Sequence, residues 1–136
     1  MIVVDTGPLY AAADTSDSRH RACVAVFEET SEQLVVPVSV IIETCFLIER
    51  HLGPLAEAAF ITSLRPSGLI VESLSETDLE RMAALITTYA DLPLGAVDAS
   101  VIAVAERLGV AAVLTIDRRH FSVVRPRRIE AFTLLP

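Results

Sequence analysis

The segment 94–117, LGAVDASVIAVAERLGVAAVLTID, constrains the fold more than any other part of the chain. Apolar residues recur at helical spacing in its first half, at Val97, Val101, Val104 and Leu108. Gly109 then stands where a left-handed helix cap is expected, and the run AAVLTI is typical of a short buried strand. The pattern predicts a helix, a tight turn and a strand.

Acidic residues mark both ends of this unit, and two more acids have comparable positions elsewhere. Asp98 falls in the first helical turn, where the helix dipole favours an anion, and Asp117 follows the strand. Taken singly, they are equally well explained as a helix cap and a polar turn residue. Asp5 ends a second apolar strand, MIVVD, and Glu43 lies within the apolar helical run VSVIIETCFLI.

Short apolar strands alternate with helical patterns along the rest of the chain. Strands are predicted at MIVVD, LVVP, LIVESL, AAVLTI and AFTLL, and Ser75 with Asp78 is typical of a helix capping box. TGPLYAAAD is predicted to be a turn and short lead-in, a helix is expected to start at Ser16 or Asp17, and RRHF is expected to form one helical turn. Alternation of this kind favours parallel pairing with right-handed crossovers. We therefore expect one α/β domain over residues 1–136, a three-layer α/β/α sandwich with a mainly parallel sheet of about 4–5 strands.

Composition limits the class of protein. The 136 residues are 52% hydrophobic, which is enough for a sizeable core, and no apolar stretch reaches the length of a membrane span. We expect a cytoplasmic protein with no membrane partner. Cys23 and Cys45 lie in apolar helical patterns without zinc-type spacing and are expected to be buried thiols. The net charge of -7 argues against nucleic-acid binding through bulk electrostatics alone.

The carboxyl ends of parallel strands share one edge of a sheet, which would bring Asp5 and Asp117 together with Asp98. Glu43 would emerge from an apolar helical surface; the alternative is an exposed stripe shared with Glu49 and Arg50. Close carboxylate pairs repel by roughly 4 kcal/mol at an effective dielectric of about 20, so such a cluster requires cations. All-oxygen ligands favour Mg²⁺ or Mn²⁺, and phosphodiester hydrolysis is the chemistry that suits this arrangement.

Several polar residues near these acids are candidates for supporting roles. Thr6 follows Asp5 directly and Thr115 shares a strand face with Asp117, so each hydroxyl can orient groups at the site, although both are also ordinary strand or turn residues. His120, beside Phe121, is expected to have a structural role. Asp91 is more consistent with a turn residue than with a site residue.

The basic residues are distributed unevenly. The chain has no Lys, and five of its eleven Arg residues fall in RRHFSVVRPRR, directly after Asp117. Arg suits phosphate recognition, but a solvated basic surface explains the cluster equally well. The candidate RNA phosphate contacts are Arg118, Arg119, Arg125, Arg127 and Arg128.

The order of the acidic motifs resembles that of the PIN-domain ribonucleases, most closely the VapC-type toxins of toxin-antitoxin pairs. The motifs are VVDTG, VIIETCFLIE, AVDASVIAVAERLG and LTIDRRHF, and the resemblance covers essentially the whole chain. It implies that Asp5, Glu43, Asp98 and Asp117 form an acidic metal-binding and catalytic quartet, supported by Thr6 and Thr115. It also implies Mg²⁺- or Mn²⁺-dependent endonucleolytic cleavage of RNA, often tRNA or rRNA, a homodimer, and a cognate antitoxin protein that binds next to the active site.

Three other classes of protein share parts of this acidic pattern. A phospho-receiver domain requires a lysine that this chain lacks. A haloacid-dehalogenase-type phosphatase would use Asp5 as its nucleophile, but its second acid would fall at Gly7. A non-catalytic PIN-like binding module would be expected to lose part of the acidic set, which is complete here.

Overall fold

The computed structural model describes residues 1–136 and contains seven helices and five strands. In chain order these are β1 (Ile2–Val4), α1 (Thr6–Ala13), α2 (His20–Glu29), β2 (Leu34–Pro37), α3 (Val38–Leu52), α4 (Pro54–Leu64), β3 (Ile70–Glu72), α5 (Glu76–Thr88), α6 (Ala96–Leu108), β4 (Ala112–Leu114), α7 (Arg118–Val123) and β5 (Thr133–Leu135). The α/β fold class expected from the sequence is confirmed, and every strand pair is parallel.

The sheet has the strand order β3-β2-β1-β4-β5. The chain therefore winds outward from β1 to β3 and then returns to the other side of β1, which places a topological switch point between β1 and β4. In open parallel sheets, ligands bind outside the carboxyl ends of the strands at such a point. Val4 pairs with Leu114, and the Asp5 N–H donates to the Leu114 carbonyl over 2.9 Å. The expected proximity of the first and last acidic motifs follows from this register.

Helix α6 is the most buried helix of the fold. Its residues from Ala99 to Glu106 are all buried, so it is an interior helix rather than an amphipathic surface helix. Gly109 ends it with φ of 66°, which confirms the predicted left-handed cap. A fixed interior helix gives Asp98, in its first turn, a well-defined position relative to the sheet.

The prediction of a turn after Asp5 was wrong. Residues Thr6–Ala13 form α1, and Asp5 is its N-cap, with a carboxylate that accepts from the Thr6 N–H over 2.7 Å. Pro8 is the third residue of the helix, where a backbone N–H would have no partner within the helix in any case, so the proline costs no hydrogen bond.

The start of the next helix was also predicted too early. Helix α2 begins at His20, because the preceding backbone turns back on acidic side chains. The Asp14 carboxylate accepts from the Ser16 N–H over 2.9 Å, and the Asp17 carboxylate accepts from the Arg19 N–H over 2.8 Å. These local bonds compete with a helical start at Ser16 or Asp17.

The capping box of α5 and the burial of the two cysteines were predicted correctly. Ser75 and Asp78 form the capping box of α5, with both reciprocal hydrogen bonds present. Cys23 and Cys45 are buried free thiols. No helix has both the length and the apolar character that crossing a bilayer requires.

Candidate active site

Asp5 lies at the centre of the acidic group, directly after β1. Its side chain is 6% exposed and accepts hydrogen bonds from the Thr6 N–H and from the Thr115 hydroxyl, the latter over 2.8 Å. Burial raises the pKa of Asp5 to about 6, against the lowering effect of these two bonds, and the charges of Asp98 and Glu43 raise it further. The Asp5 carboxylate is therefore a buried anion without a cationic partner in the chain.

Helix α3 brings Glu43 to the same place. The Thr6 hydroxyl donates to Glu43 Oε2 over 2.6 Å, so Thr6 bonds to both Asp5 and Glu43, through its N–H and its hydroxyl respectively. Glu43 is partly buried, whereas Glu49 and Arg50 on the same helix are exposed. The side chain of Glu43 is thus directed to the site rather than to an exposed charged stripe.

Asp98 faces the group from α6. It is the third residue of the helix, and its Oδ2 accepts from the Gly95 N–H over 3.2 Å, which helps to close the helix start. Burial raises the pKa of Asp98, and Asp117 raises it further, while His120 and the Gly95 N–H oppose the shift. The helix-capping role and the site position are therefore compatible, because one carboxylate serves both.

Asp117 completes the group on the side of β4. It is the N-cap of α7, and its own N–H donates to the Thr115 hydroxyl oxygen over 3.1 Å. Its side chain is 60% exposed, so it borders the solvent side of the site, in contrast to Asp5.

His120 lies beside two of the acidic residues, a proximity that the sequence did not indicate. Its Nδ1 lies 3.0 Å from Asp98 Oδ2 and 3.9 Å from Asp117 Oδ2, yet it makes no well-aligned hydrogen bond. A buried polar atom without a properly formed bond is unusual and is often found at functional positions. The available sequence signal was its position three residues after Asp117, in the helical turn expected over RRHF.

The backbone at Gly7 packs closely against the side chain of Ile116, where the first turn of α1 meets the segment after β4. A Cβ atom added at Gly7 would lie 2.4 Å from Ile116 Cγ1, so only glycine lets the first turn of α1 pack on the segment after β4. The second acid of a haloacid-dehalogenase-type site would fall at this position, which has no room for a side chain.

The four carboxylates are neighbours, but each is turned toward a nearby donor. No three of the chain's His, Cys, Asp and Glu side chains form a ready-made metal site in this arrangement. The donor set itself fits a hard divalent cation, because it consists of carboxylate and hydroxyl oxygens and leaves Asp5 uncompensated.

The candidate arginines follow this site in the chain and differ in their partners. The Arg118 guanidinium donates to the Pro136 carbonyl, and Arg119 Nη2 donates to the Leu92 carbonyl over 3.3 Å. The side chains of Arg125, Arg127 and Arg128 are exposed and form no ion pair or hydrogen bond within the chain. Asp91 is exposed, lies in a turn, and forms no hydrogen bond or ion pair with the acidic group, in agreement with its expected role as a turn residue.

The fold and the site together define a parallel α/β protein with an acidic site at the switch point of its sheet. The chain belongs to the PIN-domain family, whose pattern matches residues 2–125. The resemblance to VapC-type ribonucleases seen in the sequence is confirmed by a relative from Mycobacterium tuberculosis, Ribonuclease VapC26. It is 30% identical over 135 residues, which are 99% of this chain and 100% of the relative.

Solved structures show the same fold. Mycobacterium tuberculosis VapC20, described as a sarcin-ricin loop cleaving toxin, superposes with a TM-score of 0.78 at 21% identity, over 83% of this chain and 87% of that one. A toxin-antitoxin complex from Klebsiella pneumoniae gives a TM-score of 0.67 at 18% identity, over 91% and 92% of the two chains.

Proposed function

We propose that this chain is a metal-dependent endoribonuclease that hydrolyses RNA phosphodiester bonds and acts as the toxin of a toxin-antitoxin pair. The observation that carries the proposal is the buried Asp5 carboxylate at the switch point, with Glu43 and Asp98 close enough to raise its pKa. Family membership and the full-length similarity to a ribonuclease support the choice of substrate class.

The cation would be Mg²⁺ or Mn²⁺, held by Asp5, Glu43, Asp98 and Asp117. When bound, it would supply Lewis-acid activation of a water nucleophile and neutralise charge on the phosphodiester. All four proposed ligands are oxygen donors, and hard divalent cations of this kind keep several waters beside a few carboxylates. The bound cation would then offset the negative charge of the four carboxylates.

The chain's own residues would fix the geometry of the reaction. Thr6 and Thr115 hold the carboxylates of Glu43 and Asp5 by hydrogen bonds of 2.6 and 2.8 Å, which limits the rotamers that these acids can adopt. His120 Nδ1 lies 3.0 Å from Asp98 and 3.9 Å from Asp117, and we propose that it helps to orient these two acids. Arg118, Arg119, Arg125, Arg127 and Arg128 would contact RNA phosphates and offset the net charge of -7.

We also propose a homodimer. Ile42 and Phe46 on α3 are 65% and 58% exposed, and with Val38, Leu74 and Val97 they line an apolar hollow beside Glu43. Contiguous apolar surface of this kind marks an interface, and a second copy of the chain is the occupant that we propose. Light scattering should give the mass of a dimer, and Phe46→Ser should shift it toward that of the monomer.

The proposed protein partner is a cognate antitoxin. A groove of about 480 Å³ opens between α1, α2 and α4, and eleven of its fourteen lining residues are hydrophobic. An amphipathic segment of a partner would bury this surface. The variant Ala59→Arg, in the wall of the groove, should abolish inhibition of RNA cleavage by the antitoxin while cleavage itself persists.

The first experiment is cleavage of mixed tRNA and rRNA by the purified protein, with Mg²⁺ or Mn²⁺ and with chelator. Asp98→Asn tests the site, and Asp91→Asn is the matched control because Asp91 is an exposed acid outside the acidic group. We expect discrete fragments that require metal and disappear only with Asp98→Asn. Release of phosphate from small esters without RNA cleavage would favour the phosphatase, and RNA binding without cleavage would favour a binding module.

A further inference from the structure

The segment 124–128, which contains three of the candidate RNA-binding arginines, has no regular secondary structure but is anchored to two helices. The Arg125 N–H donates to the Tyr89 hydroxyl oxygen over 3.0 Å, and the Arg127 N–H donates to Glu106 Oε1 over 2.8 Å. Tyr89 caps the end of α5, and Glu106 lies in the last part of α6. The backbone of this segment is thus bound to groups that the core holds in place.

Glu106 is itself held firmly. Its side chain is 7% exposed, and its carboxylate accepts from Arg81 Nε over 2.7 Å and from Arg81 Nη2 over 2.9 Å. This bidentate geometry fixes the direction of the carboxylate, and the remaining lone pair on Oε1 is used by the Arg127 N–H. Arg81, on α5, therefore sets the position of a backbone group that lies 46 residues further along the chain.

The backbone of the segment is restricted further by its own residues. Pro126 fixes its own φ and limits the conformations of Arg125 before it. Arg128 has φ of 66°, a left-handed conformation that a bulky side chain adopts only where its surroundings impose it. Two anchoring bonds, one proline and one imposed left-handed residue leave the segment little conformational freedom.

The guanidinium groups on this segment are free, in contrast to its backbone. Arg125, Arg127 and Arg128 are exposed and make no ion pair within a chain of net charge -7. Exposed guanidinium groups on a fixed backbone lose less conformational entropy when they bind phosphate than groups on a flexible loop. They are therefore available to bind the phosphates of a polyanion, and all three lie within four residues of one another.

We propose that Tyr89, Glu106 and Arg81 are positioning residues that hold Arg125, Arg127 and Arg128 as a preformed phosphate-binding arm for the RNA substrate. The proposal rests on the proposed ribonuclease function and adds the residues that fix where the RNA backbone is gripped. Glu106 is eight residues beyond Asp98 on α6, a rise of about 12 Å, so the arm grips RNA away from the bond that is cut. Loss of the arm therefore raises KM and leaves kcat unchanged.

The test measures KM and kcat for a single-stranded RNA oligonucleotide that the wild-type protein cleaves, over a range of salt concentrations. The triple variant Arg125→Gln, Arg127→Gln, Arg128→Gln should raise KM and reduce the slope of log affinity against log salt by about 2, since each single-strand phosphate contact contributes about 0.7. The control triple variant Arg21→Gln, Arg50→Gln, Arg65→Gln removes equal charge from exposed, unpaired arginines elsewhere and should change KM far less.

The positioning residues are tested by Tyr89→Phe, which keeps the packed ring and removes only the acceptor oxygen. It should raise KM by roughly 2- to 10-fold, the range for one lost hydrogen bond, with kcat unchanged. The same substitution in the triple Arg→Gln background should leave KM unchanged, because the arginines that it positions are gone. Glu106→Gln, which weakens the bond to Arg81, should show the same dependence on the arginines.

The outcomes separate this proposal from the function on which it rests. If the wild-type protein cuts RNA and Tyr89→Phe raises KM equally with and without the three arginines, the role of Tyr89 is merely structural and the proposal is overturned. An equal effect of the two triple variants overturns it as well. If the wild-type protein neither binds nor cuts RNA, the proposed function itself fails, and this proposal fails with it.

Discussion

The Thr115 hydroxyl donates a hydrogen bond of 2.8 Å to Asp5 Oδ2, joining two residues that are 110 positions apart in the chain. The same hydroxyl oxygen accepts from the Asp117 N–H over 3.1 Å. Thr115 thus connects the acid that follows β1 with the acid that follows β4, across the switch point of the sheet. Its side chain is fully buried, so no water can replace these bonds cheaply.

Thr115→Val should therefore destabilise the fold and impair the site together. The substitution keeps the shape but leaves the buried Asp5 carboxylate without one donor, at a cost of about 1–3 kcal/mol in the free energy of unfolding. Thr115→Ser, which keeps the hydroxyl, should retain most of the stability and activity. Urea unfolding and RNA cleavage of the two variants check this, and equal behaviour of Val and Ser would contradict the assigned role.

The raised pKa of Asp5 predicts how stability depends on pH in metal-free protein. The carboxyl titrates at about 6 in the folded protein and near 3.8 when unfolded, so between these values the folded state binds more protons. Stability should fall as pH rises through this window, and ionised Asp5 should cost about 3 kcal/mol above it. Asp5→Asn removes the penalty and should be more stable than the wild type at pH 7 but not at pH 4.

Urea unfolding with chelator between pH 4 and pH 8 measures this effect. The difference between wild type and Asp5→Asn isolates the titration of Asp5 from that of other carboxyl groups. One of these is Asp78, whose burial raises its pKa but whose hydrogen bonds from Arg107 and Ser75 outweigh this effect and lower it. Mn²⁺ at pH 7 should stabilise the wild type and have a much smaller effect on Asp5→Asn. A constant difference at all pH values would show that Asp5 ionises normally.

The acidic positions could be predicted from the sequence because their signals are local. The helical spacing and Gly109 predict the helix that carries Asp98, and the apolar strand after it predicts the position of Asp117. Parallel pairing of this strand with β1 then predicts that Asp5 lies nearby. Helix α1 was missed because Gly7 and Pro8 are ordinary turn residues, whereas here glycine is required by a contact with Ile116. That contact depends on tertiary structure and leaves no local signal.

Two further contacts near the site join residues that are far apart in the chain and could not be predicted from local patterns. His120 meets Asp98 across 22 residues, and Glu106 meets Arg127 across 21. A lone histidine or a glutamate at the end of a helix has many ordinary explanations. Only the packing of α7 and the following segment against α6 shows which explanation applies.

Gly7→Ala tests the close approach of α1 to the segment after β4. Alanine is favoured over glycine in a helix by about 0.5–1 kcal/mol, but the clash with Ile116 should cost about 1–3 kcal/mol, so we expect net destabilisation. The double variant Gly7→Ala, Ile116→Ala removes the clash and should be less destabilised than the sum of the single variants. Additive effects in urea unfolding would mean that the two residues do not press on each other.

His120→Ala tests whether the histidine near the two carboxylates supports the proposed site. Removal of the ring takes away the group that lies near both Asp98 and Asp117. Replacement of a residue that orients metal ligands commonly lowers metal affinity or activity by about 10- to 100-fold. We expect a loss of at least roughly tenfold in RNA cleavage, partly restored by higher Mn²⁺. His51→Ala is the matched control, because His51 is exposed and packs edge-on against Tyr10, outside the acidic group. An equal loss in both variants would trace the effect to stability, and an unchanged rate in His120→Ala would return this residue to the structural role expected from the sequence.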